Sequence, residues 1–270
     1  MKPTRLIGGA ILCAALASPA AAAGLRITIQ NFAPSGGLSL TPVYTAFHNG
    51  SVDLFDAGSS ASAGIEEIAE LGSFGTLMGE RLAIQADSQG AVVTAGGPPT
   101  IDPGETGVTE VDIVDPAGNR FFSFFSMIVP TNDTFFGNDD ATAFELFDAA
   151  GNFLGPQTIE ITSDFIFDAG TEANDFTNGP AFVVGADATA GAVTSDPIAP
   201  ATDIGLSTIA GTLETPAGLF DPAFASIEGV VASITVEQVA PVPLPATAWM
   251  LLAGVGGLAV AGRRRKARAA

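Results

Sequence analysis

Cysteine, histidine and basic side chains are scarce in this chain of 270 residues. Its one cysteine, Cys13, lies in an apolar N-terminal segment, so the rest of the chain lacks disulfides, thiol nucleophiles and thiolate metal ligands. The one histidine, His48, excludes zinc sites built on several imidazoles and is the single candidate base for a serine triad. Because His48 ends a strand-like run before the turn at Asn49 and Gly50, we interpret it as structural.

Positive charge is nearly absent from the central part of the sequence. All 29 acidic residues lie there, together with the basic residues Arg26, Arg81 and Arg120 alone. So acidic a surface repels nucleic acid, which is bound mainly by neutralising phosphates with Lys and Arg. Divalent cations or a saline medium would relieve the self-repulsion. Acidity also serves solubility alone, and composition does not separate these explanations.

The N-terminus has the three parts of a secretory signal peptide. A positively charged start is followed by an apolar run over residues 6–16 and by small residues up to Ala23. We predict a signal peptide over residues 1–23 with cleavage between Ala23 and Gly24. The mature protein is then exported.

The C-terminus combines a proline-rich motif, an apolar run and a basic cluster. The motif is Val242-Pro243-Leu244-Pro245-Ala246, and the apolar run extends from Thr247 to Ala261, before the basic residues. This run is close to the shortest that spans a bilayer, and we predict a transmembrane helix over residues 247–262. The basic cluster should remain on the cytoplasmic side.

These three parts, in this order, resemble the exosortase-recognised sorting signals of Gram-negative bacteria, in the VPLPA variant of the PEP-CTERM type. The resemblance implies that an exosortase-type enzyme cuts near the motif. It also implies delivery to the cell surface or the extracellular matrix. A plain membrane anchor has the same three parts and is the alternative.

The segment between the two ends, residues 24–240, has the pattern of β structure. Strands are predicted over residues 25–30, 42–47, 108–114, 121–129, 144–147, 159–162 and 227–236. The phenylalanine-rich run 121–129 is apolar throughout, which indicates a strand covered on both faces. Many short strands separated by Gly and Pro turns predict an all-β sandwich or barrel.

Two further segments depart from this pattern. Ser62 begins a capped apolar stripe that ends at Gly72, which predicts a helix, and residues 76–86 form a second short helix or a loop. From 179 to 216 the chain turns to small and polar residues, which is typical of a long surface loop or a partly disordered segment.

Short carboxylates concentrate in two loops, at residues 130–140 and 167–175. Calcium takes six to eight oxygen ligands from carboxylates, carbonyls and water, and loops at one end of a sandwich can supply them. Gly170 would let the backbone fold so that Asp168 and Glu172 face one point. A solvated acidic loop has the same composition, so the chemistry alone leaves both open.

Several stretches of the central segment resemble the spondin-type (spondin_N) family of extracellular matrix and secreted bacterial proteins. These stretches are residues 27–31 with 40–43, 46–50, 52–58, 126–133 and 168–172. The resemblance implies a C2-like antiparallel β-sandwich that binds one Ca²⁺ at loops on one end, through Asp133, Asp168 and Glu172. Animal members have Asp at the position of Glu172, so this chain keeps the charge on a longer arm. The cysteines of the animal proteins are absent.

We therefore expect a non-catalytic, calcium-binding domain that is exported and sorted to the surface, with a role in adhesion. Its expected partners are the processing enzyme, an extracellular polysaccharide or a matrix or surface protein, and the membrane until the tail is processed. The alternative is a carbohydrate-binding module, although Trp249 lies in the membrane segment and Tyr44 in a predicted strand. A pair of acids can hydrolyse glycosides, but no aromatic-lined cleft is indicated.

Overall fold

The computed structural model describes residues 22–96, 99–175, 178–201 and 213–239. The chain divides into one unit up to Gln238 and a second from Val239 onward. The predicted sorting tail, and the signal peptide apart from Ala22 and Ala23, lie outside the described residues. Within the described ranges no helix has the length and apolarity needed to cross a membrane.

In chain order the strands and helices are β1 (Ala23–Asn31), β2 (Ser39–Leu40), β3 (Val43–His48), α1 (Ala63–Leu71), α2 (Gly75–Ile84), β4 (Gln89–Val93), β5 (Thr106–Ile113), β6 (Phe121–Val129), β7 (Thr134–Gly137), β8 (Gln157–Ile161), β9 (Ile166–Asp168), β10 (Ala199–Pro200), β11 (Leu213–Thr215), β12 (Gly218–Phe220) and β13 (Ala232–Gln238). One sheet has the order β5-β1-β13-β8. The other has the order β10-β9-β7-β6-β3-β4, with β2 also paired to β6. All of these pairs are antiparallel, and β11 and β12 form a separate hairpin.

The two sheets enclose a shared hydrophobic core. Ile27 of β1 and Ile234 of β13 pack in the same cluster as Phe122 and Phe124 of β6. Strand β1 alternates as the sequence predicts, with buried residues at every second position. Because each fully buried large apolar side chain stabilises the fold by about 1.5–3 kcal/mol, this core is the main source of stability in a chain without disulfides.

A second core lies on the opposite face of the larger sheet. Phe125 and Phe135 pack there against Ile65 and Ile68 of helix α1 and Leu77 of helix α2. Strand β6 is therefore covered on both faces, as its apolar sequence predicts. Both cores are built from residues before Gln238, so this unit carries its own hydrophobic interior.

The two helices cap each other. Ser62 accepts the N–H of Ile65 and begins α1, and Gly72, with a left-handed φ of 65°, ends it. Glu80 of α2 accepts the N–H of Gly64 at 2.9 Å, while Glu67 of α1 accepts the N–H of Thr76 at 3.1 Å. Each carboxylate thus lies at the positive end of the neighbouring helix dipole.

Two sequence predictions need correction. The run 144–147 forms single bridges, Phe121 to Glu145 and Phe147 to Phe153, rather than a strand, because its neighbours on both sides are turns. The predicted strand 227–236 begins only at Ala232. The fold class is confirmed at the level of antiparallel β-sheets with two short helices.

The registers define two ends of the domain. At one end, Asn31 of β1 donates to the carbonyls of Leu38 and Ile101, beside the pair Ser39–Val129. At the other end, Ala23 pairs with Ile113, and Gln89 accepts the N–H of the next residue, Val114. The Asp133 turn and the loop that follows Asp168 lie at the Asn31 end, whereas Asn138, after β7, lies at the other end, where it donates to Ser123 Oγ at 3.1 Å.

Candidate metal centre

Asp133 lies in the turn between β6 and β7 and is fully buried. Its Oδ2 accepts the main-chain N–H groups of Thr171 at 2.8 Å and of Glu172 at 3.0 Å, and the Thr171 hydroxyl at 3.3 Å. Its Oδ1 is also buried and has no hydrogen-bond partner in the described structure. One half of this carboxylate is therefore tightly held and the other half is unsatisfied.

Asp168 ends strand β9 directly beside this turn. Its register partner is Thr134, and the following residue, Ala169, donates its N–H to the Asp133 carbonyl at 3.0 Å. The Asp168 carboxylate accepts the N–H of Gly170 at 2.8 Å and the Asn174 side-chain amide at 2.6 Å. The two predicted aspartates are thus neighbours, although they are far apart in sequence.

Glu172 contacts Asp133 through its main chain and directs its carboxylate elsewhere. Its N–H binds Asp133, but its own carboxylate accepts from the Asn132 amide at 3.2 Å. A Cβ on Gly191 would lie 2.0–2.1 Å from the Glu172 carboxyl atoms, and a Cβ on Gly179 would lie 2.4 Å from Oε2. The Glu172 carboxylate therefore fills a space that two glycines leave open, and it does not share the donors of Asp133.

Helix α1 supplies a carboxylate that the sequence analysis missed. Glu70, in its last turn, hydrogen-bonds to the side chain of Thr171 and lies within electrostatic reach of Asp133 and Glu172. Thr171 consequently joins the helix to the Asp133 turn. The signal in the sequence was weak, since Glu70 is one of three glutamates on α1 and only the tertiary packing selects it.

The carboxylates of this cluster repel one another. Burial raises the pKa of the Asp133 carboxyl to about 6, and the charge of Asp168 adds to this, against the lowering effect of the hydrogen bonds. Burial also raises the pKa of Glu70 to about 7, reinforced by Glu172, Glu66 and Asp133. The pKa of Glu172 is raised by burial and by Asp175 and Glu66. An arrangement of this kind favours a bound cation.

The oxygen atoms present fit a hard cation. Asn174 Oδ1 is a second buried oxygen without a hydrogen-bond partner in the described structure, and its own Nδ2 donates to Asp168. Buried polar atoms are nearly always satisfied, so two unsatisfied oxygens beside one carboxylate pair require an explanation. Across the described ranges, no three His, Cys, Asp or Glu side chains meet closely enough to form a metal-binding group by themselves.

His48 is part of a buried hydrogen-bond network at the other end of the domain. Its Nδ1 accepts the N–H of Gly50 at 3.1 Å, so Nε2 carries the proton and donates to Ser123 Oγ at 2.9 Å. Burial, assisted by the charge of Arg81, lowers the pKa of His48 to about 4. In this arrangement the imidazole donates to the serine and does not accept its proton, which agrees with the structural interpretation.

These features define an antiparallel β-sheet domain with a buried acidic centre formed by loops at one end. The chain belongs to the Spondin_N family, whose model matches residues 31–200. Residues 241–266 match the PEP-CTERM protein-sorting motif, which includes the predicted Val242–Ala246 stretch. No curated protein matches the chain. The two family matches indicate a secreted, surface-sorted protein that is processed by an exosortase-type system.

Proposed function

We propose that this protein is a calcium-binding surface domain in which Asp133 and Asp168 bind one ion and Glu172 supplies negative charge beside it. The single observation that supports this most is the buried Asp133 Oδ1, which lacks a hydrogen-bond partner in the described structure and lies beside a second carboxylate. A divalent cation would satisfy this oxygen and offset the repulsion between the carboxylates. The bound ion would hold the Asp133 turn and the loop after Asp168 together electrostatically. It would take part in no redox or acid–base chemistry.

The residues nearest to Asp133 suggest how the ligands divide. Asp133 Oδ1 and Asn174 Oδ1 are two of the unsatisfied buried oxygens of the described residues. The Asp168 carboxylate accepts from Asn174 Nδ2, and its charge acts on Asp133. We propose that these three groups bind the ion directly. Glu172 and Glu70 then supply negative charge around them, and Glu172 also holds Asp133 through its N–H.

The strength of binding follows from the small number of formal charges in the site. Extracellular calcium modules have dissociation constants of about 10⁻⁴–10⁻³ M, and a partly enclosed site of this kind belongs to that class. Calcium should bind more tightly than magnesium, because magnesium demands a regular octahedron and gives up its waters reluctantly. The protein would therefore be loaded in calcium-containing surroundings outside the cell.

Isothermal titration calorimetry of residues 22–239 with CaCl₂ and, separately, MgCl₂ tests this proposal. We expect one calcium ion per domain and weaker binding of magnesium. Asp168→Asn should reduce calcium affinity by at least tenfold, while Asp112→Asn, an exposed change at the opposite end of the domain, should leave it unchanged. Equal binding by both variants would refute the assigned ligands, and no heat from the unchanged domain would refute the site.

We also propose that the role of the domain is attachment rather than catalysis. The exported, surface-sorted class of the chain supports a role in adhesion, or in association with extracellular polysaccharide or matrix. The C-terminal segment would hold the protein in the membrane until it is processed. Cell-surface retention of polysaccharide, compared between the intact strain and one carrying Asp133→Asn, tests this role.

A carbohydrate-binding module remains the alternative. Tyr44 is only 2 % exposed and its hydroxyl accepts from Arg81, so it offers no surface for stacking a sugar ring. The exposed aromatic side chains of the described residues are Phe32 and Phe224, and the Phe224 ring approaches Gly36. Glycan-array binding that is lost in Phe32→Ala but not in Asp133→Asn would favour this alternative.

A further inference from the structure

An open cavity of about 480 Å³ lies beside the point where the chain passes from the four-stranded sheet to the larger one. This crossing is the short 3-10 turn Ser163–Phe165, between β8 and β9. The cavity is lined by Ser163, Asp164, Pro200, Ala201, Ile227 and Glu228, and none of the proposed calcium ligands is among them. Its volume falls within the range of about 300–1,000 Å³ that is typical of small-molecule sites.

The inner wall of the cavity is apolar and belongs to the shared hydrophobic core. Ala201 and Ile227 are both buried and pack in the same cluster as the central strands of the two sheets. Ala201 donates its N–H to the Ile166 carbonyl at 2.9 Å, and Pro200 pairs with Phe167 in the ladder between β10 and β9. The wall is therefore held by the sheet itself, as in a site that is formed before its ligand arrives.

The mouth of the cavity carries polar groups that the domain does not use. Ser163, Asp164 and Glu228 are exposed. Ser163 and Glu228 make hydrogen bonds through their main chains, but none of the three side chains forms a hydrogen bond or an ion pair with another residue of the described ranges. One hydroxyl and two carboxylates are therefore free to contact a ligand at the edge of an apolar wall.

No basic side chain of the described ranges neutralises these two carboxylates. Arg26 and Arg120 form ion pairs with glutamates outside the cavity. Arg81 is buried and donates to the hydroxyls of Tyr44 and Ser88. Because the charges at the mouth are all negative, they attract a cation and disfavour an anion.

We propose that this cavity binds a small organic cation, with its apolar body against Ala201 and Ile227 and its ammonium group at Asp164 and Glu228. A primary ammonium has three N–H donors, which matches two carboxylates and the Ser163 hydroxyl. A neutral ligand would gain only the apolar wall, and a bare metal ion would gain only the mouth. The cavity would thus be a second binding site of the domain, independent of the acidic centre at Asp133.

Benzylammonium chloride is a suitable probe, because it joins one apolar ring to one primary ammonium. In a ¹H–¹⁵N NMR titration of residues 22–239, we expect saturable shifts of the main-chain amides of Ala201 and Ile227. Benzyl alcohol, which has the same ring without the charge, should bind about fivefold more weakly, since ion pairs at exposed carboxylates are modest. The affinity for benzylammonium should be the same with and without CaCl₂, which separates this cavity from the acidic centre.

A pair of double variants separates the mouth of the cavity from the general negative charge of the domain. Asp164→Asn with Glu228→Gln should reduce the affinity for benzylammonium to that for benzyl alcohol. Asp87→Asn with Asp112→Asn removes the same charge from exposed positions outside the cavity. This control should change the affinity by less than about twofold at physiological salt, where distant surface charges are screened.

Three results would overturn the proposal. The first is a titration in which the amides of Ala201 and Ile227 do not shift saturably. The second is equal affinity for benzylammonium and benzyl alcohol, which would leave the carboxylates without a role. The third is an equal loss of affinity in the two double variants, which would assign the binding to general charge attraction. Amide spectra that match the parent outside the substituted positions verify that both variants are folded.

Discussion

Asp133 Oδ2 accepts the main-chain N–H of Thr171 at 2.8 Å, while the other oxygen of the same carboxylate has no partner in the described structure. The main chain thus fixes the orientation of the aspartate and leaves Oδ1 directed at a buried position. Because Thr171 also hydrogen-bonds to Glu70, helix α1 is linked through Thr171 to the turn that holds Asp133.

Removal of the Asp133 charge should abolish ion binding without destabilising the fold. Asp133→Asn keeps an oxygen for the N–H groups of Thr171 and Glu172 and removes a buried negative charge beside Asp168. We expect the calcium-free variant to unfold at the same temperature as the parent or a higher one, with no response to calcium. Scanning calorimetry in EDTA and in CaCl₂ measures both. A variant that melts lower without calcium, and still responds to it, would contradict this.

The space around the Glu172 carboxylate should not tolerate a methyl group. Gly191→Ala would place its Cβ 2.0–2.1 Å from that carboxyl, so the buried side chain must move. We expect a loss of about 1–3 kcal/mol in the free energy of unfolding, measured with urea, as is typical of overpacking. Gly96→Ala, where a Cβ meets nothing within 4 Å, is the matched control and should be neutral or slightly stabilising. Equal effects at both glycines would refute the packing argument.

His48 should make the domain sensitive to acid. The folded pKa is about 4 and the unfolded one about 6.5, so between these values the unfolded chain takes up a proton that the folded chain excludes. The contribution of His48 to stability is thus greatest above pH 6.5 and falls as the pH is lowered, by up to about 3 kcal/mol. Urea unfolding at pH 7.5 and pH 5 should show a smaller difference for His48→Gln than for the parent. Arg81 and all carboxylates are common to both proteins, so parallel pH profiles would contradict the assignment.

The contributions of Tyr44 and Arg81 to the free energy of unfolding should be coupled. Tyr44→Phe leaves the buried Arg81 Nε–H without its acceptor and should cost about 1–3 kcal/mol of unfolding free energy. Arg81→Met alone leaves the tyrosine hydroxyl buried and unsatisfied, with a similar cost. The double variant should lose less than the sum of the two. Urea unfolding followed by circular dichroism measures the cycle, and strict additivity would show that the two side chains are not coupled.

The sequence predicts much of this fold because its local signals agree with its packing. The strand 121–129 matches β6 at both ends, and Ser62 and Gly72 flank α1, since apolar runs and caps act over a few residues. Residues 144–147 are apolar but lack a continuous strand partner, and no local pattern reveals that. The sequence of residues 76–86 fits a short helix or a loop, and the structure forms helix α2 there although Gly75 and Gly79 lower the intrinsic helix propensity.

The candidate site could be predicted only in part. Asp133 and Asp168 were identified through the family resemblance, and the register between β7 and β9 makes them neighbours. The position of Glu70 near Asp133 results from the packing of α1 against the larger sheet. No local sequence pattern predicts that packing. The placement of the Glu172 carboxylate depends on Gly179 and Gly191, in a segment whose composition predicts only a loop.

The melting temperature of residues 22–239, measured with and without calcium, tests the central claim most directly. With calcium at several times its dissociation constant, the site should add about 1–2 kcal/mol, which raises the melting temperature by about 2–8 °C in a domain of this size. The increase should saturate with calcium concentration, and the same concentration of magnesium should give a smaller one. A melting temperature that stays the same in EDTA, magnesium and calcium would contradict the account.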